Sequence, residues 1–265
     1  MVGLAKQIHG DLVPEPVCHG DVDASEPPLS IYSMPYLRGT STALVEVQSV
    51  EVEMSNDEEG KHEMLIRHLG RYFARCWSNP QSVDLQIQMA QRDRIRKQLT
   101  KLMEELPTST LSKSTLSGLI DSLTSLFEQD YPQVLTHGDF SITNILVDED
   151  SFEITGVVDW SLAAIMPFGM DLDILFLATG FMTLQSWHDY ACKLRLLDIF
   201  WEEFWAVSGI DGEDRRETLR TSAEAAGKIW AVLRMAFRRN ADGSPSEEVM
   251  VAETGMEQLR GWLGE

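Results

Sequence analysis

The sequence predicts an α+β fold in which a small N-terminal part precedes a larger, mainly helical part. Apolar residues recur at helical spacing in three long segments between residues 61 and 129. Short segments rich in β-branched residues follow between residues 134 and 158, and these indicate strands joined by loops. Helical spacing returns at Asp171 and continues to the end of the chain. The predicted strand unit is therefore flanked by helical regions in the sequence.

The first forty residues predict one short helix and two strands. The helix covers Val2–His9, and prolines at 14–16 separate it from a strand near Val17. A second strand is predicted over 29–34, after glycine and proline residues that end the first. A two-stranded sheet is only marginally stable unless it packs on another element.

The pattern of the next segment, residues 41–60, does not decide between helix and strand. Four valines indicate a strand, whereas the residue spacing indicates a helix followed by a solvated acidic loop at 57–59. Three amphipathic helices are then predicted over 61–77, 85–106 and 112–129. Strands are predicted next at 134–136, 144–147 and 154–158.

The composition excludes several classes of function. Lys and Arg number 22 against 42 Asp and Glu, so the formal net charge is −20. An acidic surface repels phosphate backbones and anionic headgroups, so we expect neither nucleic acid nor a membrane as partner. No apolar run reaches the roughly 18 residues of a membrane span, and the start lacks a signal-peptide pattern. With three cysteines a disulfide framework is not expected, and the sequence predicts a cytoplasmic protein.

One segment carries a pattern typical of phosphoryl transfer. Asp139 follows a predicted strand, Asn144 lies five residues later, and Asp159 ends the next strand. Phosphoryl transfer requires an Asp that accepts the proton of the attacking hydroxyl, and an Asn and a second Asp that hold Mg²⁺ against nucleotide phosphates. The Asp-to-Asn spacing is that of the protein-kinase catalytic loop. The alternative is that these side chains cap turns between strands.

The segment 135–148 resembles the catalytic core of the aminoglycoside phosphotransferase and choline kinase-like superfamily, which has a His-Gly-Asp loop and an Asp-Trp metal motif. Residues 31–39 resemble the strand and hinge that hold adenine in that family. Residues 167–172 resemble the segment whose Asp, here Asp171, caps the next helix and braces the catalytic loop.

The resemblance implies a protein-kinase-like fold with two parts. Residues 1–40 would be the remnant of a small N-terminal lobe and the hinge. Residues 41–265 would be a mainly helical C-terminal lobe that carries the catalytic loop and a short β catalytic unit. His137 would hold the loop and the metal segment together.

The resemblance also implies the roles of individual residues. Asp139 would be the catalytic base, and Asn144 and Asp159 would bind Mg²⁺ and, through it, ATP. Met34 and Tyr36 would contribute to ATP binding with backbone groups facing adenine. The substrate would be a small molecule with a hydroxyl group.

Two features of the family's small lobe are missing from this sequence. There is no Gly-x-Gly-x-x-Gly loop, and the one lysine before the hinge, Lys6, lies in the predicted first helix. One hypothesis is an ATP-dependent phosphotransferase whose start is lost from the gene model or whose phosphates are held otherwise. The other is a naturally truncated, pseudokinase-like member that binds small molecules or performs different acid–base chemistry. The exposed strand edge of a reduced lobe also predicts a homodimer.

Overall fold

A computed structural model describes residues 1–22, 29–46, 51–106, 111–240, 245–250 and 253–264. In these ranges, no helix combines the length and apolar character that a membrane crossing requires. The α-helices of the described ranges are α1 (Val2–His9), α2 (Thr42–Glu46), α3 (Asn56–Ser78), α4 (Leu85–Glu105), α5 (Lys113–Leu126), α6 (Ile174–Ala178), α7 (Lys193–Ser208), α8 (Glu213–Ala236) and α9 (Glu253–Leu263).

The strands pair antiparallel in small sheets. β3 joins β5 and β6 in the order β3-β5-β6, whereas the other strands form the pairs β1-β2, β4-β7, β8-β9 and β10-β11. The strands of the described ranges are β1 (Val17–Val22), β2 (Leu29–Ser33), β3 (Thr40–Ser41), β4 (Gln133–Thr136), β5 (Ile145–Val147), β6 (Ile154–Val157), β7 (Ala164–Pro167), β8 (Gly180–Met182), β9 (Trp187–Asp189), β10 (Phe237–Arg239) and β11 (Pro245–Val249).

The N-terminal forty residues contain a buried helix and an exposed hairpin. Ala5 and Ile8 of α1 lie in the same apolar cluster as Leu69 of α3. In the β1–β2 hairpin, by contrast, every residue of the two strands is exposed. The helix and the two strands are confirmed, while the domain boundary near residue 40 and a homodimer through the hairpin edge stay predictions.

Helix α3 begins with a capping box. The hydroxyl of Ser55 accepts a hydrogen bond from the Glu58 backbone N–H (3.3 Å), and the Glu58 carboxylate accepts one from the Ser55 backbone N–H (2.8 Å). The predicted acidic loop at 57–59 is therefore wrong, because these residues form the first turn of α3. Carboxylates there are favoured by the positive end of the helix dipole.

The three central strands do not form one sheet. β5 and β6 make a hairpin, but β4 pairs with β7, which the sequence analysis did not predict. The prediction of continuous helix after Asp171 is also wrong, because β8–β9 and β10–β11 interrupt it. Most of these strands are three residues long, and so short a run carries no readable periodicity.

Two apolar clusters hold the elements together. One contains residues of α1, α3, α7 and the strands β4 to β6. The other lies among α4, α5, α8 and α9. The loop between β4 and β5 lies at the junction, since Phe140 belongs to the first cluster while Met166 of the neighbouring β7 belongs to the second.

Candidate active site

The loop that leaves β4 carries Asp139 and is fixed by its neighbours. Gly138 has a φ of 79°, and a Cβ at this position would meet the carbonyl oxygen of Leu162. Glycine is therefore required here on grounds of both backbone conformation and space. The Asp171 carboxylate accepts hydrogen bonds from the backbone N–H groups of His137 (2.5 Å) and Gly138 (3.2 Å).

Asp171 braces the loop from a buried position. It lies inside a 3₁₀ helix (Met170–Asp173) whose N-cap is Gly169, so the helix-cap role expected for Asp171 is wrong. Burial raises the pKa of Asp171, and the two backbone N–H donors oppose that shift. Those hydrogen bonds compensate for the loss of water around the carboxylate.

His137 connects the loop to the end of β6. Its Nε2 lies 2.8 Å from the carbonyl oxygen of Val158, and its Nδ1 accepts a hydrogen bond from the Asp139 backbone N–H (3.3 Å). These partners fit a ring protonated at Nε2. The ring also lies against Trp160, with 4.7 Å between centroids. This geometry agrees with the structural role that the resemblance implies.

Asn144 lies between the loop and β6. Its side-chain Nδ2 donates to the Asp139 carbonyl oxygen (2.9 Å), and its own carbonyl oxygen accepts from the Val158 N–H (3.0 Å). Because Nδ2 is engaged by the loop, Oδ1 is the atom of Asn144 suited to a cation. The structure thus brings Asp139, Asn144 and the residue preceding Asp159 into one hydrogen-bonded unit.

Asp159 has an unusual backbone conformation. Its φ and ψ are both 62°, in the left-handed region that residues other than glycine seldom adopt. The side chain is exposed, and its Oδ1 accepts a hydrogen bond from the Ser161 hydroxyl (2.7 Å). Conformations of this kind concentrate at functional sites, where the surrounding structure maintains them.

The oxygen atoms of Asn144 and Asp159 suit a magnesium ion. Magnesium prefers oxygen ligands and keeps several waters, so it is held by one or two side chains together with phosphate oxygens. Across the part of the chain that the structure describes, His, Cys, Asp and Glu form no group of three or more that would hold a metal by itself. The oxygen atoms of Asn144 and Asp159 would suit a metal held jointly with phosphate oxygens.

The predicted hinge segment lies between β2 and β3. Met34 and Tyr36 are 63% and 88% exposed. The segment is anchored at its end, because the Thr155 hydroxyl donates to the Arg38 carbonyl oxygen (2.6 Å) and β3 pairs with β5. The role of Met34 and Tyr36 in adenine binding stays a prediction.

Two arginines that the sequence analysis did not single out lie beside the loop. Arg239 of β10 places its Nη2 3.6 Å from Oδ1 of Asp139. Arg234 of α8 places its Nη2 2.8 Å from Oδ2 of Asp173 and donates from Nη1 to the Phe140 carbonyl oxygen (3.3 Å). No local pattern marks these residues, because both contacts join distant parts of the chain.

Asp173 is the most strongly perturbed carboxyl group near the loop. Burial raises the pKa of Asp173 to about 7, and the charge of Arg234 opposes the shift. Among the described residues, neither carboxylate oxygen of Asp173 accepts a hydrogen bond. The ion pair with Arg234 is therefore the contact that compensates for the desolvation of the Asp173 carboxylate.

Comparisons with known proteins agree with this geometry. The model of the phosphotransferase enzyme family matches residues 4–191. Among solved structures, the chain is similar to the GDP complex of wild-type aminoglycoside 2'-phosphotransferase-IIIa, with 15% identity, a TM-score of 0.52, and coverage of 99% of this chain and 80% of that one. It is also similar to a putative aminoglycoside phosphotransferase from Ralstonia eutropha, with 14% identity, a TM-score of 0.53, and coverage of 99% and 82%.

The search of curated proteins gives no match. The structural similarities, at these identities, show the fold. The predicted α+β, protein-kinase-like fold is confirmed.

Proposed function

Since the chain belongs to the phosphotransferase enzyme family, we propose that it transfers a phosphoryl group from Mg²⁺·ATP to a hydroxyl group of a small molecule. The observation that carries this proposal is the hydrogen bond from Asn144 Nδ2 to the Asp139 carbonyl oxygen (2.9 Å), which couples the loop of the base to the predicted metal ligands. A purine nucleotide, GDP, is bound in one of the similar solved structures, and this supports nucleotide use.

Asp139 would accept the proton of the acceptor hydroxyl. As the acceptor oxygen forms its bond to the γ-phosphorus, the bond from that phosphorus to the bridging oxygen of the nucleotide breaks, and the hydroxyl proton passes to the Asp139 carboxylate. The bracing of the loop by Asp171 supports this role, because positioning supplies much of the rate enhancement in phosphoryl transfer.

Asn144 and Asp159 would hold Mg²⁺ through Oδ1 and a carboxylate oxygen. A bound Mg²⁺ supplies neutralisation of the charge on the phosphate oxygens. The backbone groups of Met34 and Tyr36 would hold adenine, and the anchored end of their segment supports this assignment.

A second candidate is a pseudokinase-like protein that binds a small molecule without phosphoryl transfer. The position of Lys6 favours it. Lys6 lies on α1 and forms an ion pair with Asp11 (3.5 Å), whereas the phosphate-binding lysine of kinases projects from a strand. A nucleotide site without such a lysine would have one cation fewer at the phosphates and would bind nucleotide weakly.

The decisive experiment measures nucleotide binding and transfer in the same protein. Binding of Mg²⁺·ATP and Mg²⁺·GTP is measured by calorimetry, and ADP or GDP release is followed with a panel of polyols, sugars, hydroxy acids and amino alcohols. The proposal predicts saturable binding and acceptor-dependent release. Folded wild-type protein that binds neither nucleotide would decide for the second candidate.

Two variants assign the base. Asp139→Asn should reduce transfer about 10²–10⁴-fold, the usual contribution of a positioned acid or base, while nucleotide affinity is retained. Asp150→Asn is the matched control, because Asp150 is an exposed carboxylate in the turn after β5. Equal activity in the two variants would show that Asp139 is not the base.

A further inference from the structure

The region beside Asp139 differs in charge from the rest of this acidic chain. Helix α4 and the strands β10 and β11 together carry seven cationic residues against five carboxylates, although the whole chain has a net charge of −20. Lys97 and Lys101 of α4 contact Glu247 of β11, so the helix and the β10–β11 hairpin lie against each other. A cationic region therefore adjoins the catalytic loop.

Arg239 is the residue of this region that reaches the base. Its Nη2 is 3.6 Å from Oδ1 of Asp139, and the side chains of Arg239 and Asp139 are 29% and 38% exposed. Arg234, in contrast, is nearly buried and holds Asp173 and the backbone of Phe140. Arg234 thus supports the loop from inside, whereas Arg239 and Asp139 form a pair that a ligand can reach from solvent.

The groups around the loop carry different chemistry. Asn144 and Asp159 belong to the ends of β5 and β6 and supply oxygen atoms suited to a cation. Arg239 belongs to β10 and supplies guanidinium donors suited to an anion. If a metal at Asn144 and Asp159 holds the nucleotide phosphates, Arg239 is placed beside the base, where the acceptor hydroxyl would bind.

We propose, on the basis of the proposed function, that the acceptor carries an oxyanion, either a carboxylate or a phosphate, which Arg239 binds while the acceptor hydroxyl bonds to Asp139. A guanidinium binds a carboxylate or phosphate with two parallel hydrogen bonds, which fixes both distance and orientation. The same charge disfavours an acceptor whose ammonium group would lie next to the Arg239 guanidinium. Arg239 is thus a specificity-determining residue.

The test uses four probes with one three-carbon skeleton and different charge: D-glycerate, glycerol 3-phosphate, glycerol and 3-amino-1,2-propanediol. Dissociation constants are measured by calorimetry and ligand-observed NMR on the full chain without nucleotide. At least one anionic probe should bind about tenfold or more tightly than glycerol, the effect expected of a charge-assisted hydrogen bond. The amino compound should bind most weakly. The ratio between glycerate and glycerol 3-phosphate separates carboxylate from phosphate recognition.

Variants at two neighbouring arginines provide the control. Arg239→Gln should abolish the preference for the anion, and Arg239→Lys should retain part of it. Arg238→Gln removes the adjacent guanidinium, which is 66% exposed and pairs with Glu248, and should keep the full preference. Thermal unfolding verifies that the variants are folded.

Several results would overturn the proposal. They are equal binding of all four probes, no binding of either anion by the wild type, and the same loss of preference in Arg238→Gln and Arg239→Gln. Stronger glycerol binding in Arg239→Gln, without an anion preference in the wild type, would show that Arg239 blocks Asp139. Because these assays contain no nucleotide, a failure of phosphoryl transfer appears separately, as absent Mg²⁺·ATP binding and absent product release.

Discussion

Two antiparallel hairpins of this chain, β1–β2 and β5–β6, have opposite surroundings. Ile31 of β2 is 50% exposed, whereas Ile145 of β5 is 1% exposed. The β5–β6 hairpin is flanked by β3 and packs in the apolar cluster of α3, while the β1–β2 hairpin exposes both faces. A pair of strands therefore forms in both surroundings, and of these two hairpins β5–β6 is the one packed in the core.

The difference matters for function because each hairpin leads to a different part of the candidate site. Asn144 and Val158 continue the buried hairpin and lie beside Asp139. Met34 and Tyr36 follow the exposed hairpin. We therefore expect the loop of Asp139 and the proposed metal ligands to be preorganised, and the proposed adenine-binding segment to gain order only on binding.

The largest expected effect comes from a matched pair of isoleucine variants. Ile145→Ala should lower the free energy of unfolding by about 2–5 kcal/mol, because it leaves a cavity in the core. Ile31→Ala should change it by about 0.5 kcal/mol or less, as at other surface positions. Urea unfolding at pH 7 measures both. Similar losses would mean that the β1–β2 hairpin is buried against a partner, such as a second copy of the chain.

A matched pair of glycine variants comes next. Gly39 and Gly20 have similar φ angles, 110° and 102°. A Cβ at Gly39 would meet Thr155 and the Val147 carbonyl group, whereas a Cβ at Gly20 would have no atom within 4 Å. Gly39→Ala should therefore lower the free energy of unfolding by about 2–4 kcal/mol, from strain and overpacking together.

The companion variant Gly20→Ala should cost about 1 kcal/mol, from backbone strain alone. Denaturant midpoints give the comparison. If Gly20→Ala proves as destabilising as Gly39→Ala, the close packing around Gly39 does not explain the loss of stability in Gly39→Ala.

The third effect is the dependence of stability on pH, which comes from a buried histidine near the β5–β6 hairpin. Burial lowers the pKa of His9, which stacks on Tyr72 and lies near Trp160 after β6, to about 3. Between pH 6.5 and 3 the unfolded chain binds the extra proton, so stability falls as pH falls, by up to about 1.4 kcal/mol per unit. His9→Gln should remove this loss.

Asp173 changes the free energy of unfolding with pH in the opposite direction. Burial raises its pKa to about 7, so between pH 3.8 and 7 the folded state binds the extra proton and stability rises as pH falls. Asp173→Asn should remove this gain. Urea unfolding at pH 4.5, 5.5 and 6.5 should therefore show the two variants deviating from the wild-type slope in opposite directions. Deviations of the same sign would contradict the burial of one of the two groups.

The smallest expected effect on stability is at a thiol. Cys18 lies exposed on β1, whereas Cys76 is buried in α3, where burial raises the pKa of its thiol. In native protein, Ellman's reagent should modify Cys18 quickly and Cys76 only on unfolding. Cys18→Ser should abolish the fast phase and change the free energy of unfolding by less than about 0.5 kcal/mol. A fast phase that persists in this variant would show that Cys192, which is partly exposed, reacts as fast as Cys18.

Local signals in the sequence predicted the elements that depend on nearby residues. The bounds of α1 agree with the prediction, because helical spacing and the following glycine are both local. The strands β5 and β6 were also predicted, and the His-Gly-Asp loop lies between strands as expected. The spacing from Asp139 to Asn144 sufficed to relate them, because both lie in one loop.

Contacts between distant segments were not predictable from the same signals. β7 has four residues and ends at Pro167, and its partner β4 is in another part of the chain. The approach of Arg239 to Asp139 depends on the packing of α8 and β10, which leaves no trace in local periodicity. Such contacts can be read only from the complete tertiary structure, because the two segments meet only after the chain between them has folded.

The attachment of β3 to the buried hairpin has a consequence for biosynthesis. The hydroxyl of Thr42, directly after β3, donates to the carbonyl oxygen of Ile145 (3.0 Å), 103 residues further along the chain. A ribosome adds about 5–20 residues per second, so the N-terminal segment waits about 5–20 s for its partner to emerge. During that interval the nascent α1 and β1–β2 segments are available to chaperones, and synonymous codons that slow translation before residue 145 should lengthen their exposure.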